Sequence, residues 1–424
     1  MKQHEGVREG DVCLSDLEDE LSNVIIQNSH EIKLNITTNP HETNKNDNTT
    51  LFHQTKALIN KHYDLQFDKV KLELLISAKD KKLFEPLNDS NLYVFIREDG
   101  IKISKSDFRE ILKSDFVEKI DPFLKYFENL VPYRTNEPDY IEKLASYVSA
   151  DNQQQFNLHF KKHLVRTIRC ALKEDYFNKQ AFILVQSGQN TGKTTFCRSL
   201  CPPELLKYYA EDITTDKDGL ILLATNILIN LDELSTLHKS EINALKSYFS
   251  KASINVRLPY DAKNSNIFRR ASFIGSTNLA QFLTDETGSV RWLCFTINSI
   301  DWNYSKEINI NDVWRQAYHL YLSGFKHDLT TEEIQENELR NAQFQLISIE
   351  EELVLRYLSI PKETNQVGVE FLQATEITTY LQISSGISKI NNIQIGKILN
   401  KYFKREKKVK EGMQRYGYLV IKNI

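Results

Sequence analysis

The middle third of this chain is patterned by short apolar runs that stop abruptly at small polar or acidic residues. Ala181–Val185 is apolar throughout and then turns into Gln186-Ser-Gly-Gln-Asn-Thr-Gly192. A run of that length bounded by turn residues predicts a buried strand. The stretch from Lys193 to Leu200 predicts a helix, and Asp216–Ala224 predicts another. Ile227, Leu228, Ile229 and Leu231 predict a second strand, which ends in Asp232-Glu233. A third strand, Ala271–Asn278, closes on Ser276-Thr-Asn278 and follows the helical stretch Ser240–Ser250. Trp292–Ile297 is a fourth.

The flanks carry different patterns. Leu14, Leu17, Leu21, Val24 and Ile25 predict an amphipathic helix opened by Ser15, with Glu18 three residues later. Residues 29–50 are too polar to bury and read as a disordered linker. Leu51–Tyr63 predicts a helix, and the alternation at Val70, Leu72, Leu74 and Ile76 predicts a strand. Leu92–Ile96 and Ile101–Ile103 flank Asp99-Gly100, a hairpin signal, and Lys105–Lys113 predicts a helix. Two further helices are expected over Asp139–Val148 and Phe156–Leu172. The second bears Lys161, Lys162, His163, Arg166 and Arg169, a charge run expected on a solvated face rather than against DNA. Trp314–Gly324 and Thr331–Tyr357 predict long helices. Two helical stretches, Ala374–Leu381 and Asn392–Phe403, then precede a β-hairpin turning at Gly412, an order that predicts a winged helix. The expected division is therefore 1–50 (helix and linker), 51–134 (α+β module), 135–330 (nucleotide-binding core) and 331–424 (helical connector and winged-helix DNA-binding domain).

Composition narrows the function without naming it. The 424 residues are 41% hydrophobic and 26% charged, which suits a globular chain of two or three domains. No apolar run reaches the roughly eighteen residues of a membrane span, and Met1–Asp11 is charged with no apolar stretch behind it. A cytoplasmic protein without a membrane partner is expected. Five cysteines without a C-x-x-C pair predict free thiols rather than disulfides or zinc. The net charge of −3 means that any nucleic-acid surface must be local. One candidate is the end of the chain, where Lys401–Ile424 holds eight basic residues against two acidic ones, interleaved with Tyr402 and Tyr416. Lys404, Arg405, Lys407 and Lys408 are the candidate DNA contacts there.

The strand ends carry the candidate chemistry. Ser187-Gly188-Gln189-Asn190-Thr191-Gly192-Lys193-Thr194-Thr195 lies between a strand and a helix, the setting of a loop that cradles phosphates with backbone N–H groups. Lys193 would meet the β- and γ-phosphates of ATP, and the Thr194 hydroxyl would meet Mg²⁺. The first position of G-x-x-x-x-G-K-[ST] holds Ser187, and Gly188 is placed to take the turn instead. About forty residues on, Asp232 would complete the Mg²⁺ shell and Glu233 would polarise the attacking water. Asn278, at the tip of the third strand, is expected to orient water and sense the γ-phosphate. Arg291 follows by a short loop and, in a ring of subunits, would reach a neighbour's γ-phosphate as an arginine finger. Arg269 and Arg270, just before the third strand, join the candidate nucleic-acid contacts.

Taken in order, SGQNTGKTTF, LINLDELSTL, ALKSYFS, INVRLPY, RRASFIGSTN and LTDETGSVRW resemble the virulence-associated protein E-like family, which is itself similar to the superfamily 3 helicases of viruses and plasmids. The likeness runs from about Pro122 to about Ile300 and implies an α/β P-loop NTPase core of the AAA+/superfamily 3 helicase-like kind. It also implies a hairpin over Leu258–Ile267 whose Lys263 grips nucleic acid in the channel of a ring. The expected protein is an ATP-dependent, ring-forming DNA helicase or translocase, a hexamer, acting on single-stranded or forked DNA in the replication of a mobile element or phage-like DNA. A separate primase is a candidate partner. The alternative is a nucleotide-gated switch that binds DNA or a protein without unwinding.

Overall fold

The computed structural model describes residues 50–423, apart from 82, 189, 215, 233, 235–238, 258–263, 284–288, 364–365 and 411–412. The helix and linker expected over residues 11–49 lie outside the described residues.

The first unit opens with α1 (Leu51–His62), capped by Thr50, and continues through β1 (Tyr63–Asp68), β2 (Glu73–Ala78), β3 (Glu85–Pro86), α2 (Asp89–Glu98), α3 (Lys105–Lys113) and β4 (Glu118–Ile120). Its sheet runs β3-β2-β1-β4 around a core of Ile59, Leu92, Ile96, Phe108 and Ile111. Two expectations are corrected here. The strand expected from Val70 starts at Glu73, because Asp68 Oδ1 accepts from the amides of Val70 and Lys71 (2.8 and 2.9 Å) and turns the chain there. The hairpin expected around Asp99-Gly100 is instead the end of α2: Asp99 is its C-cap and Gly100 follows at φ 89°. The Asp68 carboxylate, fully buried, also accepts from the Tyr208 hydroxyl and so ties this unit to the next.

The second unit is a six-stranded sheet clad with helices on both faces. It comprises α4 (Pro122–Asn129), α5 (Tyr140–Ser146), β5 (Val148–Ala150), α6 (Gln153–Leu172), β6 (Ala181–Val185), α7 (Lys193–Ser199), β7 (Tyr209–Glu211), α8 (Lys217–Thr225) and β8 (Leu228–Leu231). Then follow α9 (Lys239–Phe249), β9 (Ser253–Arg257), β10 (Asn264–Phe268), β11 (Ser272–Thr277), β12 (Trp292–Ile300), α10 (Tyr304–Glu307) and α11 (Ile310–Leu322). The strand order is β5-β12-β6-β11-β8-β7, parallel throughout except for β5. Every residue of β6, β8 and β11 is buried, which is why those strands read as unbroken apolar runs. Alternate residues serve two cores. Phe182, Leu184, Ile274 and Phe295 pack on the side of α6 and α7, while Ile183, Val185, Ile229 and Phe273 pack on the side of α8 and α9. Strands β9 and β10 form a separate antiparallel arm, in register from Arg257–Asn264 to Ser253–Phe268.

The charge run on α6 is not a solvated face. His159, His163 and Arg166 are buried, and Lys162 is 5% exposed and forms an ion pair with Glu333 at 2.6 Å. Lys161 pairs with Asp139 and Arg169 with Asp328. Their partners lie far off in the chain, so local charge patterning gave no hint of them.

The long helix expected over Thr331–Tyr357 is two helices, α12 (Thr331–Asn341) and α13 (Ile349–Tyr357). Asn337 and Asn341 of α12 donate to the Trp292 carbonyl (2.9 and 2.8 Å), and Arg340 donates to that of Cys294, fastening α12 to β12. The last unit adds β13 (Leu358–Ser359), β14 (Val369–Leu372), α14 (Ala374–Ser385), α15 (Asn392–Tyr402), β15 (Arg405–Lys410) and β16 (Met413–Lys422). Strand β16 pairs with β13, β14 and β15, and its core is Val354, Ile377, Leu381, Ile395, Leu399 and Val420. No helix among the described residues is long and apolar enough to cross a membrane.

Candidate nucleotide site

Strands β6, β8 and β11 are parallel neighbours, so their carboxyl ends open on one side of the sheet, and the chemistry-bearing residues meet there. The chain leaves β6 at Val185, turns, and enters α7 at Lys193. Left-handed backbone falls on Asn190 (φ 56°) and Gly192 (φ 86°). Neither Ser187 nor Gly188 carries it, so the serine needs no glycine-like freedom, and the expectation that Gly188 makes the turn is corrected. A cleft of about 320 Å³ lies over this turn, lined by Asn190–Thr195, Asp232 and Ser276–Asn278.

Lys193 is 6% exposed, and its Nζ donates to the carbonyls of Gly188 (2.9 Å) and Gln186 (3.3 Å) and to Thr191 Oγ1 (2.9 Å). Burial pushes the ammonium below its usual range, and the Asp232 carboxylate opposes that shift. At the end of β8, Asp232 Oδ1 accepts from Thr194 Oγ1 at 2.9 Å and from Ser276 Oγ at 2.8 Å. Two hydroxyls and a carboxylate are hard oxygen donors of the kind Mg²⁺ prefers, and that ion takes few protein ligands when phosphates supply the rest. The donor set fits. Asp212, which also has left-handed backbone (φ 61°), accepts from the Asp232 amide at 3.2 Å and steadies the end of β8. Sequence reasoning missed both Ser276 and Asp212. Ser276 sits two residues before the Asn278 that drew attention, while Asp212 carries no local signal.

The remaining candidates divide. Asn278 lines the cleft. Gln189, Glu233 and Lys263 lie outside the described residues. Arg291 is at the opposite end of the sheet: its carbonyl accepts from the Ala181 amide at 2.8 Å, and its Nε donates to Ser250 Oγ at 3.2 Å. The five residues of β6 between that end and the loop span about 17 Å at 3.3 Å each. Arg291 cannot reach its own chain's cleft.

Arg269 and Arg270 are not surface contacts, which corrects the expectation for both. Arg269 is fully buried and donates to the carbonyls of Tyr248, Phe249, Ala271 and Asn178 (2.7–3.0 Å). Arg270, 4% exposed, donates to the Ala171 carbonyl and forms an ion pair with Asp121 at 2.8 Å. Lys404, Arg405, Lys407 and Lys408 are exposed at and beside β15. The Arg405 guanidinium lies 4.7 Å from the centre of the Tyr416 ring and the Lys407 ammonium 5.9 Å from it, so cations and an exposed aromatic share one surface.

A comparison with protein-family models agrees with the motif order. The family model described as the virulence-associated protein E-like domain matches residues 110–346. No curated protein matches the chain. Among solved structures, the apo C-terminal region of NrS-1 is 14% identical with a TM-score of 0.49, covering 89% of this chain and 100% of that one. Its A form is 14% identical with a TM-score of 0.48, covering 88% and 100%. A structure described as an active helicase, SCCmec type IV Cch, is 11% identical with a TM-score of 0.36, covering 85% and 92%. Because the family match takes in more than half of its residues, the chain belongs to the virulence-associated protein E-like domain family.

Proposed function

We propose that this protein is an ATP-hydrolysing, ring-forming DNA helicase or translocase that serves the replication of a mobile element or phage-like DNA. One observation carries the reading: Asp232 accepts from Thr194 and Ser276 beside the buried Lys193, in a cleft at the carboxyl ends of adjacent parallel strands. Lys193 binds the β- and γ-phosphates of ATP, while Thr194 and Asp232 hold Mg²⁺, which when bound neutralises charge developing on the phosphoryl oxygens. Glu233 polarises water, Asn278 orients it, and the loop from Ser187 to Thr195 wraps the phosphates. Arg291 acts on the cleft of a neighbouring subunit, which is why the reading requires a ring, taken as a hexamer. Lys263 grips single-stranded or forked DNA. The last unit acts as a winged helix that holds DNA through Lys404, Arg405, Lys407 and Lys408. The protein works in the cytoplasm, with a separate primase as a partner.

The test is ATP turnover by the wild type and by Lys193→Ala, with and without single-stranded and forked DNA, alongside mass photometry. DNA-stimulated turnover that Lys193→Ala abolishes, together with ring formation on ATP and DNA, is the expected result. Slow turnover that ignores DNA would favour a nucleotide-gated switch, and full turnover by Lys193→Ala would sink the site.

A further inference from the structure

The chain has three tryptophans. Trp292 and Trp314 are buried, but Trp302 is 50% exposed. Its position follows from the sheet. Strand β12 is the parallel neighbour of β6, with Thr296 opposite Val185, so the turn after β12 emerges beside the phosphate loop. Gln186 Nε2 donates to the Asn298 carbonyl at 2.8 Å and ties the two together. The indole then lies directly on the loop: a Cβ added to Gly192 would stand 2.4 Å from Trp302 Cζ2 and 2.8 Å from Cη2.

The ring is held, not loose. Tyr304 stacks beside it at 6.4 Å between ring centres and 23° between planes. Tyr304 is itself buried and meets Phe196 of α7 edge-on at 5.3 Å. The backbone is fixed by Asp301 N to the Tyr147 carbonyl (2.8 Å), Asn303 N to Asp301 Oδ1 (3.0 Å) and Ser305 N to the Trp302 carbonyl (3.1 Å). Phe196, Tyr304 and Trp302 thus form a ladder of rings from the core to solvent along the flank of the phosphate loop. Tyr304 already closes the core, so the half-exposed indole adds an aromatic surface beside Gly192, itself part of the cleft lining.

We infer that Trp302 is the platform on which the base of the bound nucleotide stacks. The inference rests on the nucleotide reading above and adds to it the residue that recognises the base rather than the phosphates. The indole stands against Gly192, the residue just before Lys193 and Thr194, so a base that leaves the loop on that flank meets it. Stacking accepts any base, so the platform favours nucleotides over inorganic polyphosphate without choosing between purines.

The test uses the full chain with two probes, Mg·ATP and Mg·tripolyphosphate, read by tryptophan emission and titration calorimetry. ATP changes the emission of the wild type, and tripolyphosphate does so much less. Trp302→Ala weakens ATP roughly tenfold to a hundredfold, the worth of one base–aromatic stack, and leaves tripolyphosphate affinity unchanged. Trp302→Phe keeps most of the ATP affinity and loses the emission signal. Wild-type ATP affinity in Trp302→Ala, or an equal loss for both probes, overturns the inference and leaves the nucleotide reading standing. A wild-type chain that binds neither probe overturns both.

Discussion

Thr194 and Asp232 meet hydroxyl to carboxylate at 2.9 Å across 38 residues of chain. The contact joins the first turn of α7 to the end of β8, and Ser276 brings β11 to the same carboxylate oxygen. Three elements thus converge on one acid, and if that acid holds Mg²⁺ as proposed, removing its charge alone should act on ATP turnover. Asp232→Asn keeps the shape and the hydroxyl partners but loses the charge. It is expected to lower ATP turnover at least a hundredfold while leaving nucleotide affinity in EDTA close to that of the wild type. Thr194→Ser should retain activity, and Thr194→Ala should need raised Mg²⁺. Steady-state kinetics across a Mg²⁺ series checks this.

Arg291 stands about 17 Å from its own chain's phosphate loop, on the strand spacing. Arg291→Ala should lower turnover by roughly 10³-fold if it serves as a finger. Mixing it with Lys193→Ala should recover part of the lost activity, because some interfaces then pair an intact cleft with an intact finger. A mixture that stays inactive at every ratio would assign Arg291 to its contact with Ser250 instead.

The two groups of arginines should separate cleanly. Arg269→Ala leaves several buried carbonyls without a donor and should cost about 3 kcal/mol or more of stability, measured by urea unfolding. The triple change Arg405→Ala, Lys407→Ala and Lys408→Ala touches only exposed side chains. It should leave stability within about 0.5 kcal/mol of the wild type. It should also reduce the slope of log affinity for single-stranded DNA against log salt by about 2.

His159 and His163 are buried against the rings of Phe295 and Phe182, and among the described residues none of their ring nitrogens has a hydrogen-bond partner. Burial holds both at a pKa of about 3, with Arg340, Arg166 and Lys162 adding to the shift at His159 and Glu333 opposing it. A base depressed in the folded state gives stability that is fully present above its unfolded value near 6.5. That stability is lost as pH falls toward 3, because only the unfolded chain takes up the proton. Each histidine should therefore steepen the loss by about 1.4 kcal/mol per pH unit below 6.5. His163→Phe, which sacrifices no hydrogen bond, should make the unfolding free energy between pH 6.5 and 5 less steep.

The elements of the site were legible where burial on both faces forces an unbroken apolar run and where the turn chemistry follows at once. That is why β6, β8 and β11 could be read from sequence, together with the places of Lys193, Asp232 and Asn278 in the segments that follow them. Elsewhere one local signal served two structures. Asp99-Gly100 suits a hairpin turn and equally a helix end, and only the packing of Leu92 and Ile96 on Ile59 and Phe108 decides between them. The charges on α6 were misread for a related reason, since Glu333 lies 171 residues from Lys162. Asp212 and Trp302 owe their positions to the sheet order, which brings the end of β7 to Asp232 and the turn after β12 to Gly192.

The buried pair of arginines also has a mechanical meaning. Arg269 follows β10 directly, its amide donates to the Ala252 carbonyl just before β9, and its guanidinium grips the carbonyls that end α9. Both legs of the β9–β10 arm are thereby pinned to the sheet that carries the phosphate loop. An arm clamped at its root cannot pivot there as a free hinge.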